Sequence, residues 1–142
     1  MRSSASVTAS KQSFANQKLE PEKHMIYSPT VNKAREYYNS NSADNFYATI
    51  WGGQDIHIGL YDRDRADNIF TASHRTVQKI ASLITIDANT RVLDIGSGYG
   101  GAARYLAKTF GCSVVCLNLS EVQNQRNRQL NQAQKLNSQI KV

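Results

Sequence analysis

The apolar positions of the chain change period several times, and each change marks an element. Ser28-Pro29 opens the first: a serine hydroxyl can cap free amides, and proline at the first helical position has no amide to leave unpaired. A short helix over 30–38 is therefore predicted. The stretch 39–45, rich in Asn, Ser and Asp, predicts a loop, after which Phe46, Tyr47, Ile50 and Trp51 return at helical spacing until Gly52-Gly53 stops the turn. From Asp64 a longer helix is predicted, with Ile69, Val77, Ile80, Ala81 and Ile84 on the side that packs against a sheet.

The second half alternates strand and helix. A polar turn at 87–90 leads into Arg91–Ile95, an apolar run of strand length that ends in glycines and predicts a strand covered on both faces. Ala103, Leu106, Ala107 and Phe110 then follow an i, i+3, i+4, i+7 pattern, closed by Gly111. Ser113–Leu117 is the next strand, and Ser120 with Gln123 forms a capping box opening a polar helix with packed positions Val122, Leu130, Ala133 and Leu136. A third strand begins near Ile140.

That order predicts an α/β fold: a Rossmann-like open parallel sheet with right-handed crossovers, incomplete in this chain, behind an N-terminal helical extension. The expected organisation is a tail over 1–27, a helical cap region over 28–86 and the first part of a truncated Rossmann-like domain over 87–142. Internal repeats are absent.

Charge and composition narrow the partners. The net charge is +6 over 142 residues, but the basic residues are scattered rather than gathered into a stripe, so no nucleic-acid partner is expected. No apolar run approaches the ~20 residues of a membrane span, so none is expected at a membrane either. Cys112 and Cys116 fall in one predicted strand, ~13 Å apart and beyond the ~7 Å limit of a disulfide, so both are expected to be unpaired thiols in a reducing, cytoplasmic compartment. Neither has the His or carboxylate neighbours of a metal site, and no metal is expected. The first nineteen residues contain no Asp or Glu and repeat Ser, the composition of a disordered tail; organellar import through this Ser-rich segment stays open. A homodimer also stays open.

The chemistry gathers in Gly96-Ser97-Gly98-Tyr99-Gly100-Gly101, between the first strand and its helix. A chain nearly free of β carbons can turn sharply there and bring backbone amides against a ligand, and the helix N-terminus favours an anionic group. Gly96, Gly98 and Gly101 also satisfy the GxGxxG pattern of dinucleotide sites. Two neighbours argue against that reading. Asp94 would repel a phosphate but attract the amino group of S-adenosylmethionine, and the second strand ends in Asn118 rather than in the acidic residue that binds an NAD ribose.

The run Val92-Leu93-Asp94-Ile95-Gly96-Ser97-Gly98-Tyr99-Gly100-Gly101 resembles the first motif of class I S-adenosylmethionine-dependent methyltransferases. Tyr37-Tyr38, Phe46-Tyr47, Ile50-Trp51-Gly52-Gly53 and Ile56-His57-Ile58-Gly59 resemble the N-terminal region of the sarcosine and dimethylglycine N-methyltransferases that make glycine betaine. Asn118-Leu119-Ser120-Glu121-Val122-Gln123 is similar to the second-strand motif of that group, shared with tocopherol and cyclopropane-synthase relatives. The resemblance implies S-adenosylmethionine as cofactor and a small amine as substrate. Asp94, Gly96, Ser97 and Gly98 would hold the methionine end, Asn118, Leu119 and Gln123 the ribose side, and Tyr38 and Trp51 would close over the sulfonium. An ordinary core role for Trp51 remains an equal alternative, and His57 reads as a structural residue, so no catalytic base is nominated.

Overall fold

The computed structural model describes residues 26–64 and 66–142; the tail expected over 1–27 lies almost wholly outside them. Helix α1 (Pro29–Asn39) starts where Ser28 Oγ accepts from the Val31 amide. It ends at Ser40, whose amide and hydroxyl both donate to the Tyr37 carbonyl. The same serine then caps α2 (Asn41–Asn45) by accepting from the Ala43 amide at 3.2 Å. The loop expected over 39–45 is thus mostly a second short helix, because its polar residues serve as caps at two helix ends. A π-helical turn, Phe46–Trp51, follows directly and gathers the aromatic residues.

Helix α3 (Ile69–Ala81) begins five residues later than its hydrophobic period suggested. Asn68 caps it by accepting from the Thr71 amide at 3.0 Å, while Asp67 pairs with Arg75. Its buried face is Ala72, Ser73, Val77 and Ala81, small residues that admit close approach. Ile80 and Ile84, expected on the packed side, are 56% and 63% exposed.

Strands β1 (Arg91–Ile95), β2 (Ser113–Leu117) and β3 (Ile140–Lys141) form a parallel sheet in the order β1-β2-β3, with Asp94 opposite Cys116 and Val114 opposite Ile140. Helix α4 (Gly101–Phe110) covers one face. Ala103 and Ala107 pack there with Cys112, Val114, Cys116, Leu136 and Ile140, and Ile86, Val92, Leu106 and Phe110 close the cluster. Both cysteines are buried, unpaired thiols. The opposite face is bare: Leu93 is 58% and Ile95 74% exposed, beside exposed Val115 and Leu117. Coverage on both faces of β1, as expected of a parallel strand, is therefore absent among the described residues.

Helix α5 (Glu121–Ala133) also departs from its apolar period. It buries Gln123, Asn127 and Asn131, whereas Ala133 is exposed and Val122 and Leu130 are only half-buried. The reason is Arg104 on α4, 2% exposed, which donates from Nη1 to the Asn127 and Asn131 side-chain oxygens at 3.2 and 3.0 Å and from Nε to Gln54 Oε1 at 2.9 Å. A buried guanidinium needs acceptors, and an amide stripe supplies them. Burial pulls its pKa down to about 10, against the pull of Asp55, so it remains charged at neutral pH. No helix among the described residues is long and apolar enough to cross a membrane.

Gly100, the residue before α4, has φ 76°, and a β carbon there would fall on Asn127 Oδ1. Gly100→Ala combines left-handed strain of ~1–2 kcal/mol with overpacking of ~1–3 kcal/mol. The expected loss is about 2–5 kcal/mol, read as a lower midpoint in urea unfolding with an unchanged slope.

Candidate functional site

The turn from β1 to α4 is built by one carbonyl. Leu117 O, the last residue of β2, accepts from the amides of Gly96 at 2.7 Å and Ser97 at 3.2 Å, and Gly100 N donates to Ser97 O at 2.8 Å. Gly96 and Gly98 hold φ of 81° and 53°, values a side-chained residue rarely adopts. Three of the turn's amides, those of Gly96, Ser97 and Gly100, are thereby consumed inside the protein. Among the described residues the Gly98 and Tyr99 amides keep no partner although both residues are buried, Tyr99 fully. The position a β carbon would take on Gly96 meets nothing within 4 Å, so open space lies at Gly96, whereas a β carbon on Gly98 would meet Ile56 at 2.9 Å.

Asp94 stands two residues before the turn, half-buried, and its carboxylate makes no hydrogen bond among the described residues. Burial pushes its carboxyl pKa up, with His57 countering weakly. A lone, partly desolvated carboxylate is stabilised by a cation placed beside it. Unpartnered amides and a lone carboxylate, together at the carboxyl end of a parallel sheet, fit the zwitterionic end of an amino acid.

The remaining expected residues ring this point. Asn118, one residue past β2, donates from Nδ2 to Gln123 Oε1 at 2.9 Å, which leaves its own Oδ1 as an acceptor. Gln123 is buried at 3% exposure, and Leu119 is half-buried beside them. Ser97 is turned inward, with its Oγ buried. The Tyr38 carbonyl accepts from Ser120 Oγ at 3.0 Å, which fixes that tyrosine near the end of β2. Trp51 Nε1 donates to the His57 carbonyl at 3.2 Å, on the side of Asp94. Between them lies Tyr47, 6.1 Å from the Tyr38 ring and 6.2 Å from the Trp51 ring, its hydroxyl pushed up to about 12 by hydrogen bonding to Tyr37 and by burial. The aromatic row thus runs from the end of β2 toward that of β1.

Sequence reasoning missed Asp44 and Arg126. Arg126 donates to both Asp44 oxygens, and the Tyr99 hydroxyl donates to Asp44 Oδ1 at 2.8 Å. Burial alone would raise the Asp44 carboxyl, but hydrogen bonds from Arg126 and Tyr99 and the guanidinium charge hold it below its ordinary value. Asp44 and Arg126 are 82 positions apart in the sequence, and no periodicity connects them.

A three-stranded parallel sheet, a glycine turn after its first strand and a lone carboxylate beneath that turn define the opening part of the class I methyltransferase fold. The chain belongs to the family described as mycolic acid cyclopropane synthetase, whose model matches residues 27–142. It is 59% identical over 117 residues to a glycine/sarcosine/dimethylglycine N-methyltransferase of Actinopolyspora halophila, covering 82% of this chain and 20% of the relative. It is 54% identical over 113 residues to a sarcosine/dimethylglycine N-methyltransferase of Halorhodospira halochloris, covering 79% and 40%. The crystal structure of a candidate sarcosine dimethylglycine methyltransferase from Galdieria sulphuraria superposes with a TM-score of 0.66 at 43% identity, over 72% of this chain and 40% of that one. The chain thus spans two fifths or less of the length of these proteins.

Because burial raises the folded pKa of Asp94, its ionisation costs stability above the ordinary carboxylate range and costs nothing in acid, where both states are protonated. Asp94→Asn should raise the ligand-free melting temperature at pH 7, an advantage that disappears below about pH 4. The same variant should bind S-adenosylhomocysteine about 10- to 100-fold more weakly, the equivalent of one charged hydrogen bond. Thermal melts at the two pH values and a calorimetric titration check both signs.

Proposed function

We propose that this chain is the cofactor-binding part of an S-adenosylmethionine-dependent N-methyltransferase that acts on sarcosine and dimethylglycine. The observation that carries the cofactor is an unpartnered Asp94 carboxylate near the end of β1, followed in the next turn by the unpartnered Gly98 and Tyr99 amides. The names of the relatives support the acceptor.

In this reading the Gly98 and Tyr99 amides receive the carboxylate of the methionine moiety, and Asp94 receives its ammonium. The Asn118 Oδ1 accepts from the ribose hydroxyls, and Gln123 holds that amide in place. Tyr38, Tyr47 and Trp51 form a wall that excludes water and whose faces favour positive charge. When bound, the donor supplies a methyl group on a sulfonium, and a neutral thioether leaves without acid assistance. The protein's task is then to align amine and methyl, an effect that reaches about 7–11 kcal/mol in well-oriented reactions.

Offering glycine, sarcosine and dimethylglycine separately to the protein expressed from its complete gene, with methyl-labelled donor, tests the proposal. Label is expected in the products of sarcosine and dimethylglycine. Transfer only to a phenol or a carbon centre, or none to any amine, would overturn the acceptor assignment.

A further inference from the structure

Tyr99 is the one residue of the glycine turn with a large side chain, and it is fully buried. Its ring lies 5.2 Å under the Arg126 guanidinium of α5, and its hydroxyl ends on Asp44 of α2, on both Oδ1 at 2.8 Å and the backbone carbonyl at 3.1 Å. Arg126 closes the triangle on the same carboxylate, with Nε 3.1 Å from Oδ1 and Nη2 on Oδ2. Three separate elements, α2, the turn and α5, therefore meet at Asp44. A second seam runs parallel to it: Ser120 Oγ donates to Asn39 Oδ1 at 2.8 Å, and the Val122 amide reaches the same oxygen at 3.4 Å.

The residues on either side of Tyr99 are glycines with positive φ, at 53° and 76°. Glycines give the peptide planes freedom, so the direction of the Gly98 and Tyr99 amides depends on what holds the turn: the Gly100 N to Ser97 O bond across it and the anchored Tyr99 side chain. An anchored turn meets its ligand already ordered, whereas a loose one must be ordered on binding and loses affinity.

The geometry points to Asp44 as a positioning residue: by holding the Tyr99 hydroxyl while paired to Arg126, it fixes the amides that receive the cofactor's carboxylate and ties the N-terminal helices to the cofactor turn. This rests on the cofactor reading above. In this role Asp44 acts through Tyr99 rather than on the cofactor or the reacting atoms.

The test compares wild type, Tyr99→Phe and Asp44→Asn in the protein expressed from its complete gene. Tyr99→Phe removes one oxygen and keeps the buried ring under Arg126, so it decides the matter should Asp44→Asn fail to fold. Both variants are expected to raise KM for S-adenosylmethionine and Kd for S-adenosylhomocysteine about tenfold, with kcat at saturation and KM for the amine within twofold of wild type. A purely structural tie would lower the melting temperature and leave cofactor affinity unchanged, and that result overturns the proposal. An equal fall of kcat with no change in cofactor KM overturns it as well. Failure of the wild type itself to bind S-adenosylhomocysteine would instead remove the cofactor reading on which the inference stands.

Discussion

Two amides hang from one carbonyl at the end of the sheet, those of Gly96 and Ser97 on Leu117 O. This closure bends the chain sharply off β1, and only left-handed glycines follow it without strain. It also decides which amides remain for a ligand. Because Gly96 and Ser97 are spent within the fold, the unpartnered donors lie one step further along, at Gly98 and Tyr99, in front of α4 and in the turn that follows Asp94. The candidate site is thus a consequence of how β1 and β2 are joined, and its electrostatics come from backbone groups more than from side chains.

Around that closure the interior is unusually polar. Arg104 sits between α4 and α5 with three side-chain oxygens on it, and Asn131 donates on to Asn127 at 2.9 Å. Such a network gives packing direction as well as cohesion, since a guanidinium with fixed acceptors permits one register of α5 on α4 where an apolar stripe would allow sliding. The register matters because the start of α5 presents Gln123 to Asn118 and Arg126 to Tyr99. Burying these polar groups thus aligns the second strand's end with the turn.

Much of this was legible locally. The β1 and β2 bounds, the 3.6-residue period of α4 and its stop at Gly111, where φ is 72°, each follow from a few neighbouring residues. So did Asp94, Gly96 and Gly98, which form one short motif. What was hidden depends on distant partners. The buried face of α5 is amide because of Arg104, 23 residues earlier than Asn127, and no apolar period can announce that. Ser40 reads as loop, yet it serves two helix ends at once. Ile80 and Ile84 have the right spacing to pack, but α3 ends at Ala81 and turns its small residues inward. The bare side of β1 was equally hidden, because a run of apolar residues states that a strand should be covered, not by what.

Everything in the site follows from an amino acid's two charged ends being held between the Gly98 and Tyr99 amides and Asp94. A crystal structure of the protein with S-adenosylhomocysteine bound tests it most directly. The ligand's carboxylate is expected within hydrogen-bonding distance of those two amides and its ammonium on the Asp94 carboxylate. A ligand whose amino-acid end lies elsewhere, with Asp94 facing water or a protein group, would contradict it.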